Sequence, residues 1–296
     1  MNQVKTIALL ALLGALLVNI CYWLIGGLTG AIIGLGLAAI SNGLIWYCSD
    51  KWAIAAYGAL SLTMEQSLRI EPMVRRLCNC AHLPMPKLYR LPTPVANAFA
   101  TGRDPEHAAI AVTEGLLDKL PNDELAGVIA HELSHIKNRD TLTQTVAATL
   151  TGAITFLIRR LSSGSGGWPR SSYRRRINPF IALVMIVLAP MTATILKLAL
   201  SRSRELAADA GAAELTGNPP ALAKALQRIQ SGDASLDVEP AFTPLLIIGN
   251  WRGANWSSGL RSHSWWARLF LTHPPTEIRV ERLLNMDIAT GSPPSD

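Results

Sequence analysis

Two apolar runs stand at the head of the chain, Thr6 to Ile25 and Leu28 to Trp46, separated only by Gly26 and Gly27. Each approaches the ~20 residues that a helix needs to cross a bilayer. In lipid every backbone N–H and C=O must be satisfied within its own segment, so such runs can only be helices. The two-glycine junction then predicts a transmembrane helical hairpin. A signal peptide is the competing reading of the first run, and the second run following at once argues against it. Tyr22, Trp23, Trp46 and Tyr47 sit near the run ends, where aromatic rings favour the membrane–water interface, and Asp50-Lys51 marks the return to water.

Two further apolar runs, Thr141 to Ile158 and Pro179 to Leu200, enclose a segment rich in Gly, Ser and Arg, with Arg159, Arg160, Arg170, Arg174, Arg175 and Arg176. If both runs cross, this loop lies opposite the polar part of the chain and opposes the positive-inside bias. Otherwise the second hairpin dips in without crossing. A hydrophobic share of 49% against 16% charged residues is too apolar for an ordinary soluble enzyme. The net charge of +6 comes without aromatic-interleaved or Gly-rich nucleic-acid motifs, so no nucleic acid partner is expected. Cys78-Asn79-Cys80 is too tight for the usual zinc spacing of about two to four intervening residues.

Between the hairpins, residues 51–140 read as an α+β region. Helical spacing covers Leu62 to Ala81, with a kink or fresh start expected at Pro72. Lys87 to Leu91, Asn97 to Thr101 and Ala108 to Val112 read as short strands, and Thr113 as the cap of a short helix through Leu120. Asn122 reads as the N-cap of the next helix, with Asp123 and Glu124 in its positive first turn. That helix carries His131-Glu132-Leu133-Ser134-His135, an H-E-x-x-H pattern. Positions i and i+4 share a helix face, so both imidazoles can reach one ion, and zinc suits neutral histidine nitrogens. Glu132 lies beside that ion without binding it, as a general base for a hydrolytic water.

A catalytic zinc usually takes three protein ligands and keeps one position open. After the second apolar hairpin, Glu205 and Asp209 share a helix face at i,i+4 within SRSRELAADAGAAELTG. Glu205 is the favoured third ligand and Asp209 its orienting neighbour. His107, His263 and His273 are rivals, and a solvated face with an Arg202–Glu205 pair is the plain alternative. Asn218-Pro219-Pro220 and Pro274-Pro275 each suit a helix start, the latter with Arg279 about a turn inside. Arg279 or His273 is a candidate to share oxyanion charge. The strand Asn97 to Thr101 is the best candidate for a free edge that holds an extended peptide.

The order of these pieces resembles the HtpX family of membrane-bound zinc metallopeptidases, in the wider group that includes the CAAX-prenyl endopeptidases. The matching segments are the N-terminal hairpin, NAFATG at Asn97–Gly102, AVTEGLL at Ala111–Leu117, HELSHIKNRD at His131–Asp140, SRSRELAADAGAAELTG at Ser201–Gly217 and LTHPPTEIRVERL at Leu271–Leu283. The resemblance implies that His131, His135 and Glu205 bind one zinc ion per chain and that Glu132 is the catalytic base. It places Asp209 in support of the site, and Asn97, His273 and Arg279 near site or substrate. It implies a mainly α integral membrane protein with a small α+β zincin-like metalloprotease domain, an active-site helix plus a short β-sheet. The expected division is an N-terminal transmembrane hairpin at 1–50, catalytic parts at 51–140 and 201–296, and a second hydrophobic hairpin at 141–200. Expected partners are the lipid bilayer and polypeptide substrates, chiefly misfolded membrane proteins, with a homo-oligomer left open. The expected location is the bacterial cytoplasmic membrane, multi-pass, with the site facing the cytoplasm. Two rivals stand beside this reading: an intramembrane zinc protease, and a non-catalytic zinc-stabilised membrane scaffold.

Overall fold

The computed structural model of the chain describes most of residues 7–56, and residues 58–143, 202–231 and 274–286. His263, His273, Trp251, Trp256, Trp265, Trp266 and nearly all of residues 141–200, where a second hydrophobic hairpin is expected, lie outside the described residues.

The glycine junction behaves as its sequence demands. Gly26 and Gly27 take φ values of 99° and 57°, a region open to glycine at little steric cost. The chain then folds back: a Cβ on Gly34 would meet the Val18 backbone at 2.7 Å, and one on Gly14 would touch Ala38 at 3.5 Å. Asn42 Nδ2 donates to the Leu10 carbonyl at 3.1 Å across the two arms. Small residues thus let the helices approach closely, as in membrane helix pairs. Among the described residues one helical stretch, Leu17–Leu44, is long and apolar enough to cross a membrane. It includes the glycine junction, so it joins parts of two arms and is not one straight rod.

The second arm is helix α1 (Gly27–Ala56), which runs on past Asp50-Lys51 before a turn at Gly58 leads into β1 (Leu60–Ser61). Helix α2 (Met64–Ala81) opens with a capping box, Thr63 Oγ1 accepting from the Gln66 N–H and Gln66 Oε1 accepting from the Thr63 N–H. Pro72 does not restart this helix, which runs through it unbroken from Met64 to Ala81. It stands on the exposed face, where the carbonyl it leaves without a partner can turn to water, while Ile70, Met73, Val74, Leu77, Cys78 and Ala81 face inward.

Strands β2 (Lys87–Leu91), β3 (Ala98–Thr101) and β4 (Ala109–Thr113) complete a four-stranded sheet in the order β1-β2-β4-β3. β2 runs parallel to β4, whereas β3 pairs antiparallel with β4 and occupies the sheet edge, Phe99 opposite Ala111 and Ala100 opposite Ile110. Residues alternate between two faces. Ala98, Ala100, Ile110 and Val112 join the main core with α2, while Phe99, Ala111 and Leu91 form a second cluster capped by Ile54 of α1 and Ala59.

Thr113 Oγ1 caps the short helix α3 (Glu114–Lys119) by accepting from Leu116 N–H. Helix α4 (Asn122–Lys137) follows. Asn122 is its first helical residue and not the cap that the sequence suggests. Its side chain is engaged elsewhere, accepting from Arg69 Nε at 2.7 Å, while Arg69 also donates to the Leu117 and Leu120 carbonyls at the end of α3. Helices α5 (Arg202–Thr216) and α6 (Pro219–Gln230) flank α4, and α7 (Thr276–Leu284) closes over them.

Candidate active site

Helix α4 is buried on every side from Glu124 to Ile136, so its polar residues need partners from neighbouring elements. Two glycines bring those neighbours close. A Cβ on Gly211 of α5 would stand 2.6 Å from Ser134 Oγ, and one on Gly127 of α4 would stand 3.1 Å from Leu222 of α6. Ser134 Oγ satisfies itself on the Ala130 carbonyl at 2.8 Å.

Across the α4–α5 contact, His131 and His135 face Glu205. The two Nε2 atoms are 3.2 Å apart, and they lie 3.8 and 3.6 Å from the Glu205 carboxylate oxygens Oε2 and Oε1. The outward nitrogen of each imidazole is held by a carboxylate. His131 Nδ1 lies 2.9 Å from Asp209 Oδ1, and His135 Nδ1 lies 3.1 Å from Asp140 Oδ2. Each carboxylate has an arginine behind it. Arg279 of α7 grips Asp209 with two bonds, Nε to Oδ2 at 2.8 Å and Nη2 to Oδ1 at 2.7 Å, while Arg204 Nη1 lies 3.7 Å from Asp140 Oδ1. Arg279 Nη1 also reaches to 3.7 Å from Glu205 Oε2.

Asp140 reaches His135 because of how α4 ends. Arg139 adopts φ of 57°, its N–H bonds to the Ile136 carbonyl at 3.0 Å, and the Asp140 N–H bonds to the His135 carbonyl at 2.9 Å. This double-bonded termination is the Schellman motif, with arginine where glycine is usual. It curls Asp140 back under the last imidazole.

Glu132, on the same helix, reaches the sheet. Its Oε2 accepts from the Ala100 N–H of edge strand β3 at 2.8 Å. Burial, reinforced by the nearby Glu205 charge, pushes the Glu132 carboxyl up to about 7 despite the opposing pull of His135. For His135, burial disfavours charge, yet the Asp140 hydrogen bond and the Glu205 and Glu132 carboxylates win and raise it to about 9. Burial wins at His131, which is lowered. Asp209 is held below its ordinary range because Arg279 and His131 outweigh its burial.

A family model described as Peptidase family M48 matches residues 65–287. The chain belongs to that family. It is 53% identical over 290 residues to a protease HtpX homolog of Trichormus variabilis, covering 97% of each chain. Protease HtpX homologs of Acidiphilium cryptum and Pyrococcus furiosus are 46% and 43% identical, covering 96% and 97% of this chain and the same shares of their own. Among solved structures, the crystal structure of S. mikatae Ste24p is similar at TM-score 0.48 and 16% identity, over 84% of this chain and 57% of that one.

As an M48 member this is a metalloprotease, and the donor cluster fits a metal ion. Donor atoms of His131, His135 and Glu205 all lie within 4.8 Å of one another. Tetrahedral bonds of ~2.0–2.1 Å put ligand atoms roughly 3.3 Å apart, close to the spacings here. Carboxylates on both outward nitrogens leave the Nε2 atoms to face the ion.

The structure therefore brings together His131, Glu132, His135, Glu205, Asp209 and Arg279. The Arg202–Glu205 surface pair does not form the setting of Glu205, which is buried while Arg202 is exposed. His107 lies on an exposed turn bonded to Asp104. Arg279 is 1% exposed and turned to Asp209 and Glu205, which makes it an orienting group for those carboxylates. Asn97 is buried at the start of β3, its N–H and C=O both bonded to Thr113. Sequence reasoning missed Asp140, Arg204 and the Ala100 N–H. For Asp140 a signal existed: an acid five residues after the second histidine, just past a helix end.

Proposed function

We propose that this chain is a membrane-anchored zinc endopeptidase, multi-pass in the bacterial cytoplasmic membrane with its site facing the cytoplasm, that removes misfolded membrane proteins. The observation that carries the hydrolytic reading is Glu132: a buried carboxylate on the helix that supplies two of the three donors, fixed by the Ala100 N–H of β3 at 2.8 Å. His131, His135 and Glu205 are the ligands in this reading, oriented by Asp209 and Asp140. Zinc, when bound, supplies a Lewis acid that lowers the pKa of water and polarises a carbonyl. Glu132 takes the proton of the attacking water and delivers it to the leaving amine. The substrate lies extended along β3, the terminal strand of the four-stranded sheet. Asn97 stands at the head of that strand, and His273 belongs to the segment leading into α7.

The test is substitution of the base. Glu132→Gln is expected to keep zinc and lose about 10²- to 10⁴-fold in cleavage of an unfolded polypeptide. His131→Ala and Glu205→Ala are expected to lose the metal itself. Chelator-sensitive cleavage by the Glu132→Gln protein at the wild-type rate would overturn the mechanism. A scaffold would show zinc without cleavage in the wild type. Labelling of a cysteine introduced near Ser165 in intact cells reads the topology of the second hairpin.

A further inference from the structure

Helix α1 does not stop where its apolar run stops. It continues to Ala56, and Ile54 packs in one cluster with Phe99 of β3. A second tie joins the same two elements. Arg103, two residues past β3, reaches back to the end of the apolar run: its guanidinium carbon stands 5.2 Å from the Trp46 ring centre and 4.9 Å from that of Tyr47. Arg103 Nη1 also donates to the Tyr47 carbonyl at 3.0 Å, and Asp104 Oδ2 lies 3.3 Å from Arg103 Nε. Lys51 Nζ lies 6.0 Å from the same Tyr47 ring. Gly102, at φ of 130°, makes the bend that turns Arg103 towards α1.

Trp46 and Tyr47 are 46% and 56% exposed at the end of an apolar helix, with two cations against them. Amphipathic rings with neighbouring Lys or Arg are what the headgroup level of a bilayer selects. The C-terminal end of β3 therefore stands at the height of the interfacial residues. We propose that this clamp seats the β3 edge at the bilayer surface, so that the site takes polypeptide segments directly adjoining a transmembrane stretch, with Arg103 as the positioning residue. The inference rests on the peptidase reading above and specifies its substrate class.

The bond between Ala100 and Glu132, and the pairing of β3 with β4, do not involve the Arg103 side chain. Loss of the clamp leaves the chemistry in place and frees the catalytic body to tilt away from the membrane. A segment emerging from the same bilayer then loses its advantage, while a free peptide does not.

The experiment uses the full chain in lipid vesicles with three substrates: a single-span reporter with its cleavable sequence about 5 residues from the span, the same reporter with about 30 residues between, and the cleavable sequence as a free peptide. Wild type is expected to cut the near reporter at least as fast as the far one. Arg103→Ala and Trp46→Ala are each expected to cut the near reporter roughly tenfold more slowly, yet the free peptide within about twofold of wild type. Arg103→Lys falls between, because an ammonium keeps the charge but not the planar stacking or the fork of donors. The proposal is overturned if wild type prefers the far reporter, if both alanine variants leave the near reporter unchanged, or if both slow the free peptide as much as the near reporter. Failure of the peptidase reading looks different: wild type then cuts none of the three.

Discussion

Replacing Arg279 by methionine tests whether the metal ligands are held from outside by a buried ion pair. The side chain is 1% exposed and makes two bonds of 2.7 and 2.8 Å to Asp209, itself 2% exposed. Methionine fills much of the arginine stem but leaves the Asp209 charge without its guanidinium. Removing one partner of a buried pair costs ~3–5 kcal/mol. At ~2–4 °C per kcal/mol for a domain of this size, the melting temperature falls by roughly 10 °C. A second effect follows from the 2.9 Å contact between Asp209 and His131. Without Arg279 the carboxylate draws a proton onto His131, and that proton competes with a metal for Nε2. Zinc affinity therefore falls together with stability. The assay is thermal unfolding of the full chain in lipid nanodiscs at saturating zinc, with zinc content measured alongside. The double variant Arg279→Met, Asp209→Leu removes both charges and recovers ~2 kcal/mol relative to the sum of the single losses, though not the metal affinity, because His131 has lost its orienting carboxylate. A shift below about 2 °C for Arg279→Met, or strictly additive losses in the cycle, would refute the reasoning.

Two further outcomes follow from the same geometry. Asp140→Asn keeps a side chain of the same shape under His135 but removes the carboxylate, and it is expected to weaken zinc binding about 10- to 100-fold in a chelator competition titration. Gly211→Ala puts a Cβ 2.6 Å from Ser134 Oγ, so it should destabilise by ~1–3 kcal/mol by forcing α5 away from α4; adding Ser134→Ala should return part of that loss in a thermal melt.

Much of this architecture was legible in the sequence because it rests on local rules. β2 occupies the residues its pattern marks, Lys87–Leu91, and β3 and β4 begin one residue later than their patterns suggest. Proline pairs open α6 and precede α7. His131 and His135, like Glu205 and Asp209, show their shared faces through i,i+4 spacing alone. What stayed hidden depends on partners distant in sequence. Asn122 looks like a cap until Arg69, on another helix, claims its side chain. Pro72 looks like a break until the packing of α2 turns it to solvent. β1 has two residues and no period to read, and exists because β2 offers it a pairing edge. Asp140 needed the Schellman termination, which arginine at the left-handed position disguises, since glycine is the usual mark.

The composition of β3 shows how closely the layers depend on one another. Ala-Phe-Ala-Thr is a weak strand by propensity, since alanine is depleted in sheets. The two alanines face the main core, where α4 also packs, and the phenylalanine faces Ile54 of α1. Only a small side chain on the α4 face lets a helix backbone come near enough for Glu132 to reach a strand N–H at 2.8 Å. A valine at position 98 or 100 would improve strand propensity and push α4 outward, trading a local preference for the loss of that bond. On the other face the demand reverses, because α1 arrives by a single helix end and needs a large ring to fill the gap beneath it. The small–large–small order of this strand is therefore dictated by the two helices it separates: one carries the metal-donor histidines and the other leads to the N-terminal helical hairpin. Its backbone, at the Ala100 N–H, holds the base.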